Sequence, residues 1–266
     1  MSNIAQNLLE TNAPGALQAA NDLFPYLCTY DSDFCVKEAN HTFVETATFA
    51  DDFKYHGEGW QSDYHFVDFP NVEEGDITDY DIDESSRNLT TGLKNIVAWM
   101  SGKQGDDYKT SYMYTYLMNK FSNDENVAKS YALRLLIHYV GDLAQPLHCE
   151  NRYNSEFTSG DKGANLFPLK YHYDVDELHA LWDKIIYDGY HNIARPITDD
   201  AWTDFQSQVT SAMENYAPTE SSDWESTDFD HFALLSYNIA VQVYDGLTED
   251  AAVPDDYINK WKPVAY

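Results

Sequence analysis

The chain is short of positive charge. Sixteen lysines and arginines face 45 aspartates and glutamates, a formal net charge of −29. That excludes a broad basic face for duplex DNA, since phosphate contacts draw on Lys and Arg. It also removes attraction to an anionic membrane surface. Bound cations remain a route by which such a chain can meet a polyanion. Cysteine is scarce too, and three residues do not make a disulfide framework. Cys28 and Cys35, seven apart in a polar stretch, either close a small loop or stay as two thiols, and Cys149 is left over. No apolar run approaches the ~20 residues that cross a bilayer. Met1 to Pro25 hold neither a basic start nor an apolar core, so no signal peptide is expected there. Internal repeats and low-complexity tracts are missing as well.

What is present points to a folded protein. The chain is 43% hydrophobic and 15% aromatic, far from the composition of disordered acidic sequences. Its 266 residues suit one compact domain, 1–266. Val36 to Lys54 has no Gly or Pro and carries Phe43, Val44, Ala47 and Ala50 at helical spacing, with Asp33 the nearest candidate cap. Ser86 to Met100 is a second helical run. Ser122 to Ala144 is the longest; Ser122 and Glu125 form a capping box, and Pro146 stops the run. Apolar residues from Val127 to Val140 lie nearly all round it, so this helix is expected to be central and buried. Further helices are read at Val175 to Tyr187, Asp199 to Tyr216 and His231 to Leu247, and clear period-two strands are missing. The fold class is all-α. Two long loops, Tyr55 to Ser85 and Cys149 to Tyr173, are expected to be functional. Asn40-His41-Thr42 and Asn88-Leu89-Thr90 fit the glycosylation sequon and give weak support for secretion.

His138 and Asp142 lie four apart on the buried helix and therefore share a face. One such pair is more often a satisfied core hydrogen bond than a ligand set. The geometry recurs, however, in His179 and Asp183, and His148 stands between the two pairs where the chain leaves the first helix. Two helices each offering His and Asp, with a third His at a helix exit, suit metal ligation in a helical core. Nitrogen and oxygen donors fit Zn²⁺, with Mn²⁺ or Fe²⁺ as alternatives. Cys149 adjoins His148 but reads as a bystander. Taken alone, Asp51-Asp52 reads as a solvated helix end and His65 as an ordinary loop histidine. His41, His56, His172, His191 and His231 have no comparable pattern.

The stretch from His138 to His148, HYVGDLAQPLH, closely resembles the zinc-dependent single-strand nucleases (the S-one/P-one type, with the plant bifunctional nucleases). Gly160 to Asn165 resembles that family's glycine-rich loop, and Leu178-His179 with Trp182-Asp183 its next ligand segment. Phe49-Ala50-Asp51 and His65-Phe66-Val67-Asp68 resemble its two early ligand segments. The order and spacing agree over almost the whole chain. The resemblance implies a mostly helical fold around a three-zinc cluster. Asp51, His65, His138 and Asp142 would hold one Zn²⁺, and His148, His179 and Asp183 a second, with Asp142 bridging towards a third. It implies hydrolysis of single-stranded DNA and RNA to 5′-phosphates, with 3′-nucleotidase activity on mononucleotides. Asp51 would orient or activate the attacking water, Lys54 would stabilise transition-state charge, and Phe66 and Asp68 would meet the base. The resemblance also implies a secreted or lysosomal/vacuolar enzyme. A monomer is expected, with no membrane or protein partner.

Two departures qualify the resemblance. In the family the third zinc is held by a terminal Trp and a His five residues on, whereas this chain starts Met1-Ser2-Asn3 and its first histidine is His41. The stretch ending at Tyr266 also stops short of a closing helix, so truncation at both ends is expected. Two sites keep every side-chain ligand and the third keeps only Asp142. The competing readings are a zinc phospholipase C-like phosphodiesterase and an inactive zinc-binding homologue.

Overall fold

The computed structural model describes residues 1–82, 85–102, 107–172, 174–185, 193–216 and 226–265. Its α-helices are α1 (Ser2–Asn12), α2 (Pro14–Leu23), α3 (Pro25–Tyr30), α4 (Thr42–Glu45), α5 (Phe49–Lys54), α6 (Leu89–Ser101), α7 (Tyr112–Lys120), α8 (Glu125–Ala144), α9 (Leu178–Lys184), α10 (Asp199–Tyr216), α11 (Phe229–Val243) and α12 (Tyr257–Ala265). Four short strands accompany them: β1 (Phe69–Val72), β2 (Glu150–Tyr153), β3 (Pro168–His172) and β4 (Val175–Glu177). The described chain is mostly helical, as the sequence pattern implies. It divides into two compact units, one of Met1–Ser62, Thr91–Gly141 and Ile193–Thr219, the other of Asp63–Thr90, Asp142–Asn192 and Glu220–Tyr266.

In the first unit the core is built on α8. Val127, Ala128, Tyr131, Ala132, Leu135 and Tyr139 are buried, but Val140 is exposed, so the helix is not enclosed all round. Its start differs from the expected capping box. Ser122 and Asn123 take positive φ (53° and 65°), and their N–H groups bond back to the carbonyls of Asn119 and Met118, closing off α7. Asp124 is the cap instead, its Oδ1 accepting from the N–H groups of Asn126 and Val127. The Glu125 carboxylate accepts from Trp99 and Lys129.

The stretch from Val36 to Lys54 is not one helix. It is a turn, then α4, a 3₁₀ turn at Thr46–Thr48 and α5. Two constraints break it. Cys28 and Cys35 form a disulfide that ties the 3₁₀ turn Ser32–Cys35 to α3. Glu45, 1% exposed, turns its carboxylate onto the N–H groups of Ala39, His41 and Ile197. The deepest charge of this unit, Arg134 on α8, is fully buried. Its guanidinium pairs both oxygens of Glu38 at 2.8 and 2.6 Å, bonds Ser130 and the Phe24 carbonyl, and rests on both disulfide sulfurs at 3.4–3.5 Å.

The second unit holds all four strands, inside or beside the segments read as loops. β1 pairs in parallel with β2, and β3 antiparallel with β4. β4 and α9 together replace the single helix expected from Val175, and Tyr187 lies outside the described residues. Leu147, Leu178, Leu181, Trp182, Tyr257 and Trp261 are among the buried residues of its apolar core. β2 is buried along its whole length although three of its four residues are polar. There Tyr244 Oη lies 2.9 Å from both Glu150 Oε2 and Asp161 Oδ2. One hydroxyl hydrogen cannot serve two carboxylates, so one of them carries a proton. Burial, with the neighbouring Asp161 charge, pushes Glu150 up to about 8. Tyr244 Oη donates towards these carboxylates, and Glu150 is the one that burial favours in its protonated form.

Two outcomes follow for stability. Arg134→Met leaves Glu38 as a buried unpaired charge and should cost about 3–5 kcal/mol in urea unfolding, with much of the loss recovered when Glu38 is also made apolar. The second concerns pH. The ordinary Glu150 value is 4.5 and its folded value about 8. Between these the unfolded chain gives up a proton that the fold keeps, so the Glu150 contribution to stability falls as pH rises. Glu150→Gln should gain on the natural chain between pH 5 and pH 8 by on the order of a few kcal/mol. Equal pH profiles for the two proteins would contradict the buried proton.

Candidate metal centre

Three of the four metal-type histidines, His138, His148 and His179, are aimed by a main-chain carbonyl, and His65 is held by the Asp142 carboxylate. In the first unit, His138 on α8 donates from Nδ1 to the Ala47 carbonyl at 2.6 Å. That fixes the tautomer and leaves the Nε2 lone pair facing Asp51 Oδ2 at 3.7 Å. Asp51 sits on α5, and its other oxygen accepts from Lys54 at 2.8 Å. Asp52, its neighbour, faces elsewhere. It is clamped by Lys37 at 2.5 Å and by both Arg195 terminal nitrogens at 2.8 and 3.2 Å. Burial opposes its ionisation, but the two cations win and hold its pKa below the usual value. Asp52 is thus a structural ion pair, not the solvated helix end expected of it.

In the second unit the chain from His65 runs beside that from His148. Val67 N–H donates to the His148 carbonyl at 2.8 Å and Phe69 N–H to that of Cys149 at 3.2 Å, extending the β1–β2 pairing. In return His148 donates from Nδ1 to the His65 carbonyl at 2.7 Å. His179, at the start of α9, donates from Nδ1 to the Gly163 carbonyl at 2.7 Å. Gly163 belongs to the glycine-rich loop, with φ of 60°, and a Cβ there would strike the Leu147 carbonyl. The loop is nailed down by fully buried Asp161, which accepts from the Arg152 and Ala164 N–H groups and from the Arg152 guanidinium.

With both Nδ1 atoms committed, the Nε2 atoms of His148 and His179 lie 3.9 and 3.8 Å from Asp183 Oδ1. One donor atom from each of these residues falls within 4.8 Å of the others. A tetrahedral Zn²⁺ with bonds of about 2.0–2.1 Å has ligand–ligand edges of roughly 3.4 Å, so the two edges to Asp183 lie within about half an ångström of that length. His65 Nδ1 bonds Asp142 Oδ2 at 2.9 Å, and that oxygen stands 4.0 Å from His148 Nδ1. Asp142 therefore lies between His65 and the trio. The donor set, imidazole nitrogen and carboxylate oxygen with each oriented imidazole held from behind, fits zinc.

The electrostatics agree. Burial lowers His179 below its usual value. Burial also works against charging His148, but the carboxylates of Asp142 and Asp183 outweigh it and raise His148 to about 9. Burial likewise penalises the Asp183 carboxylate, yet the two imidazoles and Gln145 hold it at about 2. An ionised Asp183 is ready to bind a cation, and a metal entering here displaces the extra proton of His148.

The structure thus joins Asp51 with His138 in one unit, and His65, Asp142, His148, His179 and Asp183 in the other. His65 is not the ordinary loop residue it appears by itself. Phe66 is half-buried with its ring stacked on His148 (centroids 4.8 Å, 12° between planes), and Asp68 takes a φ of 57°. Sequence reading passed over Gln145, whose Nε2 donates to Asp183 at 3.0 Å while its Oε1 caps the turn at Leu147 N–H. Its place within the helix-exit motif was the available signal. Cys149 is fully buried, and burial pushes its thiol up, which suits a bystander. His41 stacks on Trp202 and His56 bonds the Asp52 carbonyl, while His191 lies outside the described residues.

The family model of the S1/P1 nucleases matches residues 1–266. The chain belongs to the S1/P1 nuclease family. It is 26% identical over 246 residues to Endonuclease 4 of Arabidopsis thaliana, covering 86% of this chain and 72% of that one. To Nuclease P1 of Penicillium citrinum it is 29% identical, covering 65% and 55%, and to Nuclease S1 of Aspergillus oryzae 28% identical, covering 53% and 40%. S1/P1 nucleases are zinc-dependent hydrolases of nucleic acid, and the site built here has the residues for that metal. Among the described residues no helix is long and apolar enough to cross a membrane.

Zinc should stabilise the chain, because a ligand that binds only the fold at a hundred times its Kd adds about 2.7 kcal/mol. The measurement is the thermal unfolding midpoint of chelator-stripped protein with and without Zn²⁺. His179→Ala and Asp183→Asn should each shrink the rise, and an unchanged midpoint at saturating zinc would tell against the site.

Proposed function

We propose that residues 1–266 work as one catalytic domain, a zinc-dependent endonuclease that cleaves single-stranded DNA and RNA to 5′-phosphate products and also removes the 3′-phosphate of mononucleotides. The observation that carries the reading is the aiming of His138, His148 and His179 through Nδ1 to main-chain carbonyls, which leaves every Nε2 directed towards a carboxylate. As the family resemblance implies, Asp51, His65, His138 and Asp142 would hold one Zn²⁺, and His148, His179 and Asp183 would hold a second. Bound zinc supplies Lewis acidity at the phosphoryl oxygens and lowers the pKa of water.

The protein groups do the rest. Asp51 orients the water and accepts its proton. The water oxygen bonds to phosphorus opposite the 3′ oxygen, the P–O3′ bond breaks, O3′ departs with its own nucleotide and takes a proton from solvent to become a hydroxyl, and the phosphate stays on the 5′ side of the next nucleotide. Lys54, held 2.8 Å from Asp51, sets its ammonium against the charge that develops on phosphate. Phe66 stacks on the base and Asp68 accepts from its edge. Stacking needs an exposed base face, worth roughly 1–3 kcal/mol per base, which duplexes hide. The enzyme acts as a monomer, secreted or lysosomal/vacuolar.

Chelator-sensitive digestion of single-stranded DNA and RNA, roughly tenfold or more faster than of duplex, is the expected result. Lys54→Ala should lower kcat by on the order of a hundredfold. Equal rates on duplex and single strand, or hydrolysis of phosphatidylcholine vesicles in place of nucleic acid, would overturn the proposal.

A further inference from the structure

The first unit contains a cavity of about 510 Å³ between the 31–38 segment and α5. That lies within the ~300–1,000 Å³ range of small-ligand sites. Its aromatic side is Phe34, Phe49 and Phe53, with Phe34 and Phe53 5.1 Å apart and Phe49 and Phe53 4.9 Å apart. Val36, 61% exposed, stands among its lining residues. Asp52 lines this cavity and Asp51 does not.

The charge around it decides what could enter. Two cations line it, Lys37 and Arg195, and both are committed to Asp52, while Lys120 and Arg134 lie over the Phe34 and Phe49 rings at 5.6 and 5.7 Å. Glu38 and Glu58 also line it, but each is matched from outside, by Arg134 and by Lys120, both at 2.6 Å. Asp31, Asp33 and Glu45 remain. Asp31 accepts from the Asp33 N–H and Glu45 from backbone N–H groups, interactions that orient the carboxylates without neutralising them. Among the described residues no cation pairs with Asp31 or Asp33. With both Glu45 oxygens taken by backbone N–H groups, the two remaining carboxylates, Asp31 and Asp33, outweigh the single positive charge left by Lys37, Arg195 and Asp52 together. The lining is therefore apolar and aromatic with an excess of negative charge. Aromatic faces attract cations through the ring quadrupole, and carboxylates add to that attraction.

We propose that this cavity is a binding site for a small organic cation carrying an aromatic or branched apolar body. The body fills the space against Phe34 and Phe53, and the ammonium or similar group faces Asp31 and Asp33. An anionic aromatic of the same size meets carboxylates where its charge would fall, so a nucleoside monophosphate is the wrong occupant.

Benzyltrimethylammonium titrated into the full chain, followed by calorimetry and by amide shifts in the NMR spectrum, tests this. Saturable binding with Kd below about 1 mM is expected, with shifts centred on residues 31–37 and 49–56. Tetramethylammonium, which has the charge but no body, and benzoate, which has a similar body and the opposite charge, should each bind at least about tenfold more weakly. Asp33→Asn and Phe53→Leu should each weaken the cation, with the unfolding midpoint reporting that the variants fold. Absence of saturable binding, benzoate or adenosine monophosphate binding as tightly as the cation, or affinity unmoved by both folded variants would overturn the proposal. None of these readouts depends on nuclease turnover.

Discussion

Three main-chain carbonyls decide where the imidazoles point. Ala47, His65 and Gly163 each accept from an Nδ1–H, so His138, His148 and His179 each present Nε2 in one fixed direction. Each of those carbonyls is carried by an irregular stretch of chain. Ala47 sits in a 3₁₀ turn between two short helices, His65 lies alongside the strand-like start of β2, and Gly163 occupies a left-handed position that tolerates no side chain. The polar support of β2 is part of the same apparatus, since Asp161 and Arg152 hold the loop on which Gly163 rides.

Scarcity of cations shapes the interior as much as the surface. Five of them are spent where carboxylates would otherwise be buried alone. Arg134 answers Glu38, Lys120 answers Glu58, Arg195 with Lys37 answers Asp52, and Arg152 answers Asp161. Where no cation is supplied, a proton substitutes, as at Glu150, or backbone donors do, as at Glu45. The carboxylates of the metal centre fit the same economy, with Zn²⁺ as the counter-charge.

Long uninterrupted periodic stretches were legible. α10 spans Asp199–Tyr216 as read, and α8 was placed to within its cap. The cap itself was misread because Ser122 and Asp124 are both good N-cap residues, and only the left-handed turn at 122–123 selects between them. The break between Val36 and Lys54 was hidden because a disulfide and a buried Glu45, both tertiary, override helical spacing. Strands β1 and β2 carry no alternation: Phe-Pro-Asn-Val and Glu-Asn-Arg-Tyr make a pair only by meeting each other. Of the site, spacing alone exposed His138, Asp142, His179 and Asp183 because two of its helices repeat one pattern. Asp51 and His65 needed the family resemblance, and Gln145 needed coordinates.

The β1–β2 pairing also bears on the order of events in folding. Phe69 lies opposite Glu150, so some eighty residues must be threaded between the two strands before the ladder closes. Contacts of such sequence separation come late, since their closure entropy is charged before any bond is gained. His65 and His148 take their positions from that ladder. During synthesis on the ribosome, a nascent chain would hold α1 to α7 outside the exit tunnel well before it owned a place to put a metal ion.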